Sequence, residues 1–121
     1  MATGLSGYLA DSLLDTVASS GVYLQLHVGD PGIAGTSNPA IETTRQAVTF
    51  SAASGGVLTS NGAVSWTSIA GTEDATFFST WNASTSGDFL FSGSISGNSY
   101  TAGDTLTIPS GQLGASLTIV S

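Results

Sequence analysis

The strongest constraint on the fold is a series of short strand-like segments that begins at Val22 and continues to the end of the chain. The first, "VYLQLHV", alternates apolar and polar residues, with Val22, Leu24, Leu26 and Val28 on one face. Further segments are rich in β-branched or aromatic residues and are separated by turn residues: "QAVTF", "GVLTS", "AVSWTS", "ATFFSTWN", "DFLFSGSI", "DTLTIP" and "ASLTIVS". The pattern predicts a mainly β fold, an antiparallel β-sandwich of jelly-roll type.

One helix is predicted before these strands, over residues 5–18. Its apolar residues recur at spacings of three and four and form one stripe: Leu5, Tyr8, Leu9, Leu13 and Val17. Asp11 and Asp15 lie off the stripe, and Gly21 is placed to end the helix. A single short helix is marginal alone, so it must dock on its own domain or on a neighbouring subunit. We expect one domain, with a helical segment at 1–20 and a sandwich at 21–121, and we expect Leu5, Tyr8, Leu9 and Leu13 to contact a partner.

Charge excludes several classes of function. The 121 residues include one arginine and no lysine, and the net charge is −7. Nucleic-acid binding depends on clustered basic residues, so DNA and RNA are excluded as partners, and anionic membranes are disfavoured for the same reason. No apolar run approaches the length that spans a bilayer. With only 7% charged residues, solubility depends on neutral hydroxyl and amide groups, which also tolerate close packing in an assembly. The start of the chain lacks the features of a secretory signal, so synthesis in the cytoplasm is expected.

A long loop, Gly29 to Thr44, interrupts the strand pattern and is the second expected contact region. An ordered loop of this length is usually functional, and within it we single out Asp30, Ile33 and Ile41 for partner contact. The single basic side chain, Arg45, follows directly. Because a guanidinium can fork two oxygens, we predict that Arg45 braces this loop against the sandwich through Asp30 and Glu42.

Catalysis has little support in the sequence. His27 is the single histidine and lies in a strand pattern, and some serine will lie near it by chance, so we interpret it as structural. There is no cysteine, no phosphate-binding loop and no nucleophile elbow. We therefore expect no enzymatic activity, no catalytic residue and no cofactor.

Calcium binding and sugar binding are two further functions that parts of the sequence could serve. The adjacent pair Glu73 and Asp74 offers oxygen ligands for Ca²⁺, but the other acids are scattered, and a solvated loop is the simpler interpretation. Ten aromatic residues suggest a sugar-stacking surface, with Trp81 the best candidate for exposure because it precedes the turn "NASTSGD". Most strand aromatics fill cores, so a carbohydrate-binding module is a less favoured function for this chain. The "NAS" sequon at Asn82 is short enough to arise by chance.

The order of four blocks resembles a family of small virion proteins of tailed bacteriophages. The blocks are "LSGYLADSLLDTV", "LQLHVGDPGIAGT", "TRQAVTFSAASGGVLTSNGAVSW" and "FFSTWNASTSGDFLFSGSI" with "YTAGDTLTIPSGQLGASLTI". Members are head-fibre, tail-fibre-like or capsid decoration proteins, and the position before "QAVTF" is typically "YAR" there, where this chain has "TTR".

The resemblance implies a β-sandwich on the outside of the virion with no catalytic residues. It also implies a homo-oligomer, a trimer if the protein caps threefold positions of the capsid. Partners would then be other copies of the chain together with the major capsid protein or tail proteins. We expect a capsid decoration protein, with a minor tail or tail-fibre-like protein as the alternative.

Overall fold

The computed structural model describes residues 4–19 and 21–116, and for residues 96–98 it describes the backbone alone. One helix and eight strands follow in chain order: α1 (Gly7–Ser19), β1 (Val22–His27), β2 (Gln46–Val48), β3 (Val57–Thr59), β4 (Val64–Trp66), β5 (Glu73–Trp81), β6 (Phe89–Tyr100), β7 (Leu106–Ile108) and β8 (Gly114–Ser116). The mainly β, sandwich-like fold with one N-terminal helix is therefore confirmed. The predicted boundaries at residues 1, 20 and 121, and the end of the last predicted strand, lie outside the described residues.

The strands form one four-stranded sheet, in the order β2-β1-β5-β6, and two antiparallel pairs, β3-β8 and β4-β7. Every described pairing is antiparallel, as tight turns between short strands allow. The long strands β5 and β6 form the longest ladder, and β1 pairs on the other side of β5 from Tyr23 opposite Trp81 to His27 opposite Phe77.

The core lies between the four-stranded sheet and the two pairs. Its buried members from the first sheet include Val22, Leu24, Leu26 and Phe78, and Trp66 and Ile69 come from the region of β4. The alternation predicted for β1 is seen at Val22, Leu24 and Leu26. The prediction that Val28 continues this buried face is wrong, because the strand ends at His27 and the side chain of Val28 is exposed.

A bulge in the β5–β6 ladder changes which face of the sheet the β6 aromatics occupy. Thr80 pairs with Phe91, but Trp81 pairs with Phe89, so one extra β6 residue lies between them. As a result, the Phe89 ring packs against Trp81, with centroids 5.5 Å apart. The Phe91 ring instead packs edge-on against Phe78 on the core face.

Candidate partner-binding surface

Helix α1 is held to the sandwich by its acidic side. The backbone N–H of Gly56 donates to Asp11 Oδ1 over 2.8 Å, and that of Ala53 donates to Asp15 Oδ1 over 2.7 Å. The i, i+4 spacing places both carboxylates on one face of the helix. The Ser6 hydroxyl caps the helix N-terminus by accepting from the N–H of Leu9. The helix is thus oriented by hydrogen bonds to the loop between β2 and β3.

This orientation leaves most of the predicted apolar stripe in solvent. Tyr8 is 84% exposed, Leu9 43% and Leu13 46%. The buried helix residues are Ala10 and Leu14, so the face turned inward lies about one residue from the predicted one. The central residues of the stripe, Tyr8, Leu9 and Leu13, therefore do not pack on the chain's own core, which is one of the two options predicted for it. Leu5, which precedes the helix, is partly buried, as is Val17, which packs against the core.

The Gly29–Thr44 loop is a hydrogen-bonded structure rather than an open arm. Asp30 Oδ1 accepts from the N–H of Gly32, the side-chain amide of Asn38 donates to the carbonyl of Asp30, and the N–H of Ser37 donates to the carbonyl of Pro31. Pro31 is fully buried. The bonds fix a compact turn with Ile33 at its tip.

The two isoleucines selected in this loop are both exposed. Ile33 has an accessibility of 103%, so none of the described residues covers it, and Ile41 is 59% exposed. Asp30 is also predicted to contact a partner, but its carboxylate accepts a hydrogen bond from the N–H of Gly32 within the loop. The loop therefore presents aliphatic side chains on a fixed backbone.

His27 joins this loop to the sheet and is fully buried. Its Nδ1 lies 2.8 Å from the carbonyl oxygen of Ser37, which can only accept, so Nδ1 carries the hydrogen. Nε2 then accepts from the Ser79 hydroxyl over 2.7 Å, and Trp81 Nε1 donates to the same hydroxyl oxygen over 2.8 Å. Burial lowers the pKa of His27 below its ordinary value, although hydrogen bonds to the backbone at Ser37 and Asn38 oppose the shift. The imidazole is held neutral.

The contact between Ser79 and His27 resembles a nucleophile and its base, but its setting is structural. Both side chains have no exposed surface, and the group that orients the histidine is a backbone carbonyl rather than a carboxylate. A substrate cannot reach the hydroxyl. The three side chains of Trp81, Ser79 and His27 instead satisfy one another where the loop covers the sheet.

Arg45 braces a different loop from the one predicted. Its Nη1 donates to the carbonyls of Ala83 and Ser86, over 3.0 and 2.6 Å, and its Nε donates to Gln25 Oε1. Its guanidinium carbon also lies 4.2 Å from the centroid of the Trp81 ring. The prediction that it forks Asp30 and Glu42 is corrected, because Arg45 reaches across β1 to the β5–β6 turn, where carbonyl oxygens converge.

The carboxylate of Glu42 is bonded elsewhere. Its two oxygens accept from the backbone N–H groups of Ala70 and Thr44. Glu73 acts in the same way, since its Oε2 accepts from the N–H of Ile41 and from the Tyr100 hydroxyl. Burial, together with this bond to Glu73, raises the pKa of Tyr100 well above its ordinary range. These carboxylates fasten the C-terminal end of the long loop to the sandwich.

The described residues form neither an exposed sugar-binding platform at Trp81 nor a cluster of metal ligands. The prediction that Trp81 is exposed is wrong. Its side chain is 7% exposed and lies under Arg45, so it offers no platform for a sugar ring. Within 4–19 and 21–116, no three His, Cys, Asp or Glu side chains lie close enough to hold a metal ion. No helix in the same ranges has the length and apolarity needed to cross a membrane.

Three contacts in this region are not predicted by the sequence analysis: Asp11 with Gly56, Asp15 with Ala53, and His27 with Ser79. Asp11 and Asp15 are predicted only to lie off the apolar stripe, although their i, i+4 spacing is a signal that one face of the helix could receive backbone donors. Ser79 had no distinguishing signal among the many serines. Its role depends on pairing between β1 and β5, which brings residues 27 and 79 together.

The sequence was compared with known protein families. The family model described as podophage GP4 fiber I protein gp80 matches residues 4–116, which is nearly the whole chain. No curated protein matches the sequence.

Proposed function

Because the chain belongs to the podophage GP4 fiber I protein gp80 family, we propose that it is a non-enzymatic capsid decoration protein that binds the outer surface of the phage head. Many copies on a shell lattice would add weak contacts into a strong attachment and would stabilise the shell against internal DNA pressure. The family match supports a fibre-type virion component, and the step to the capsid surface is the proposal.

The observation that carries this proposal is the exposed apolar stripe on a helix whose other side is fixed. Tyr8 and Leu9 are exposed while Asp11 and Asp15 are bonded to the sandwich. An exposed tyrosine on a rigid element is a residue of the type that dominates the binding energy of protein interfaces, and an exposed leucine beside it adds apolar area that binding would bury. A helix free to rotate would bury them, whereas the two carboxylates keep them outward. We propose that this stripe, with Leu13 at its end and Leu5 before it, contacts the shell.

Self-association is part of the same proposal. The chain presents a second apolar feature at Ile33 and Ile41, distant in sequence from the helix. A protein with two such features can use one for the virion and the other for its own copies. We propose a homotrimer, which matches the threefold positions of a capsid lattice.

Incorporation into particles tests the helix assignment. Phage lacking the protein would be complemented with the wild type, with the double variant Tyr8→Ser/Leu9→Ser, or with Val57→Ser, which changes an exposed apolar residue on β3. Each apolar side chain fully buried at an interface is worth about 1.5–3 kcal/mol, so the double variant should reduce incorporation by about tenfold or more. Val57→Ser should be incorporated normally. Equal incorporation of all three would refute the assignment. Point variants are preferable to removal of residues 1–20, which would also break the bonds at Ala53 and Gly56.

A minor tail or tail-fibre-like protein is the second candidate, favoured by the word "fiber" in the description of the matching family. The same stripe would then bind a tail component at fewer sites. A carbohydrate-binding module has less support, because Trp81 is buried.

A further inference from the structure

Asn61 and Gly62 form a pair whose chemistry allows spontaneous deamidation. In that reaction the backbone nitrogen of the next residue attacks the side-chain amide carbon of asparagine. Glycine hinders this attack least, because it has no Cβ. The chain has four asparagines, and only Asn61 precedes a glycine. The pair lies between β3 and β4, where Asn61 is exposed and Gly62 is partly exposed.

The fold holds Asn61 by two hydrogen bonds to one residue. The Thr49 hydroxyl donates to Asn61 Oδ1 over 2.6 Å, and the N–H of Asn61 donates to the carbonyl of Thr49 over 3.0 Å. These bonds join the two ends of the segment 49–61, which contains β3 and the loop that holds helix α1. Within the described residues, the N–H of Gly62 donates to no acceptor. The amide that would be attacked is therefore fixed, and the attacking nitrogen is not engaged elsewhere.

The hydroxyl on Asn61 Oδ1 is placed where negative charge would develop. When the nitrogen of Gly62 adds to Cγ, the carbonyl oxygen becomes an oxyanion, and a donor already in position stabilises it. A hydrogen bond to a charged oxygen is stronger than one to a neutral amide oxygen. The contact from Thr49 therefore stabilises the transition state more than the ground state. Because Asn61 is exposed, water can accept the proton that is lost and carry away the ammonia.

We propose that Asn61 is a site of spontaneous deamidation and that the Thr49 hydroxyl promotes the reaction. The nitrogen of Gly62 loses its proton to solvent and forms a bond to Asn61 Cγ. The bond from Cγ to Nδ2 breaks, and the side-chain nitrogen takes up a proton and leaves as ammonia. Water then opens the cyclic imide. Opening at the side-chain carbonyl gives aspartate, and opening at the main-chain carbonyl gives isoaspartate.

The products differ from the original chain in charge and in the path of the main chain. Either acid adds one negative charge to a chain whose net charge is −7. Isoaspartate also routes the main chain through the former side chain, which adds one atom between the segment 49–61 and β4. The same segment carries the N–H groups of Ala53 and Gly56 that hold helix α1. The modification thus lies at the base of the element that orients the helix.

Ageing of the purified protein tests the site. Folded wild-type protein would be incubated at mildly alkaline pH, digested with chymotrypsin and mapped by mass spectrometry, with isoaspartate labelled by an isoaspartyl methyltransferase. Conversion should be fastest at Asn61. Asn82 is the internal control, because its Oδ1 also accepts a backbone N–H, that of Asp88, but the next residue is Ala83. Conversion of Asn82 as fast as that of Asn61, or an unchanged Asn61, would overturn the proposal.

Variants at the two neighbouring positions test the mechanism. Thr49→Val removes the donor and should slow conversion of Asn61 by about tenfold in the folded protein, whereas Thr49→Ser keeps the hydroxyl and should react like the wild type. In denaturant the three proteins should react equally fast. Gly62→Ala should slow conversion in both states. Its added Cβ would lie 3.4 Å from Thr49 Oγ1, which is an ordinary contact, so this variant should fold.

The comparison between folded and denatured protein decides the role of Thr49. A folded Thr49→Val protein that reacts at the wild-type rate would remove Thr49 from the proposal. A slower rate that persists in denaturant would show that the hydrogen bond in the fold is not the cause. Wild-type speed in Gly62→Ala would contradict attack by the Gly62 nitrogen. Circular dichroism would establish that each variant is folded before ageing.

Discussion

Asp11 Oδ1 accepts a 2.8 Å hydrogen bond from the backbone N–H of Gly56, and this contact sets which side of helix α1 faces the sandwich. With the matching bond from Ala53 to Asp15, it directs the acidic side inward and the side with Tyr8 and Leu9 outward. The partner-binding surface therefore depends on carboxylates that do not themselves belong to it.

Removing these carboxylates should loosen the helix while the sheets remain folded. Hydrogen bonds to charged groups are worth about 1.5–3 kcal/mol, and partial exposure places these at the lower end, so Asp11→Ala and Asp15→Ala should each lower the free energy of unfolding by about 1–2 kcal/mol. Amide hydrogen exchange should accelerate at Gly56 in the first variant and at Ala53 in the second. Asp74→Ala, an exposed acid on β5, is the control and should change neither amide. Unchanged protection at both amides would contradict the docking described.

Arg45 should stabilise the β5–β6 turn through geometry as well as charge. Arg45→Lys keeps the charge but loses the forked donation to Ala83 and Ser86 and the stacking over Trp81. We expect both Arg45→Lys and Arg45→Ala to lower the free energy of unfolding in denaturant titrations, by about 2 kcal/mol. The near-ultraviolet signal of Trp81 should also change. A lysine variant as stable as the wild type would show that the charge alone suffices.

Gly35 should tolerate no side chain. Its φ is 74°, and a Cβ there would lie 2.5 Å from Phe89 Cδ1. Gly35→Ala therefore combines left-handed strain of about 1–2 kcal/mol with a steric overlap of about 1–3 kcal/mol. Gly55→Ala is the matched control, because Gly55 has a φ of 60° and an added Cβ meets nothing within 4 Å. Thermal unfolding should show the larger loss for Gly35→Ala, and equal losses would mean that the loop yields at Phe89.

The buried His27 should make stability depend on pH below neutrality. Its pKa is lowered in the folded protein by burial, whereas in the unfolded chain it lies near the ordinary value of about 6.5. Between those two values the unfolded state binds more protons, so stability is fully present above about pH 6.5 and decreases as the pH falls toward the folded pKa. Denaturant titrations from pH 7.5 downward would measure this slope. His27→Gln should be less stable at pH 7.5 but should lack that part of the slope, and an identical slope in both proteins would exclude His27 as its source.

The sequence predicts the strands, the sandwich-like architecture and the helix well, because these depend on local periodicity that repeats over many residues. It does not predict which side of the helix faces inward. That choice is made by bonds from Ala53 and Gly56, 38 and 45 residues from their acceptors. A local sequence pattern contains no information about hydrogen bonds between residues so far apart in the chain.

The acidic residues show the same limit more generally. Among the described residues, six of the eight acids accept a backbone N–H: Asp11, Asp15, Asp30, Glu42, Glu73 and Asp104. The sequence gives no sign of these bonds, and it predicts a solvated loop for Glu73 and Asp74. In the fold the six acids satisfy backbone donors in loops and turns, and Arg45 correspondingly binds carbonyls rather than carboxylates.

The location of the protein on the particle tests the central claim most directly. Intact virions would be labelled with gold-conjugated antibody against the protein, and particles lacking it would serve as the control for background. The account predicts gold distributed over the head, in many copies per particle. Gold confined to the tail would contradict capsid decoration and would assign the exposed stripe of α1 to a tail partner instead.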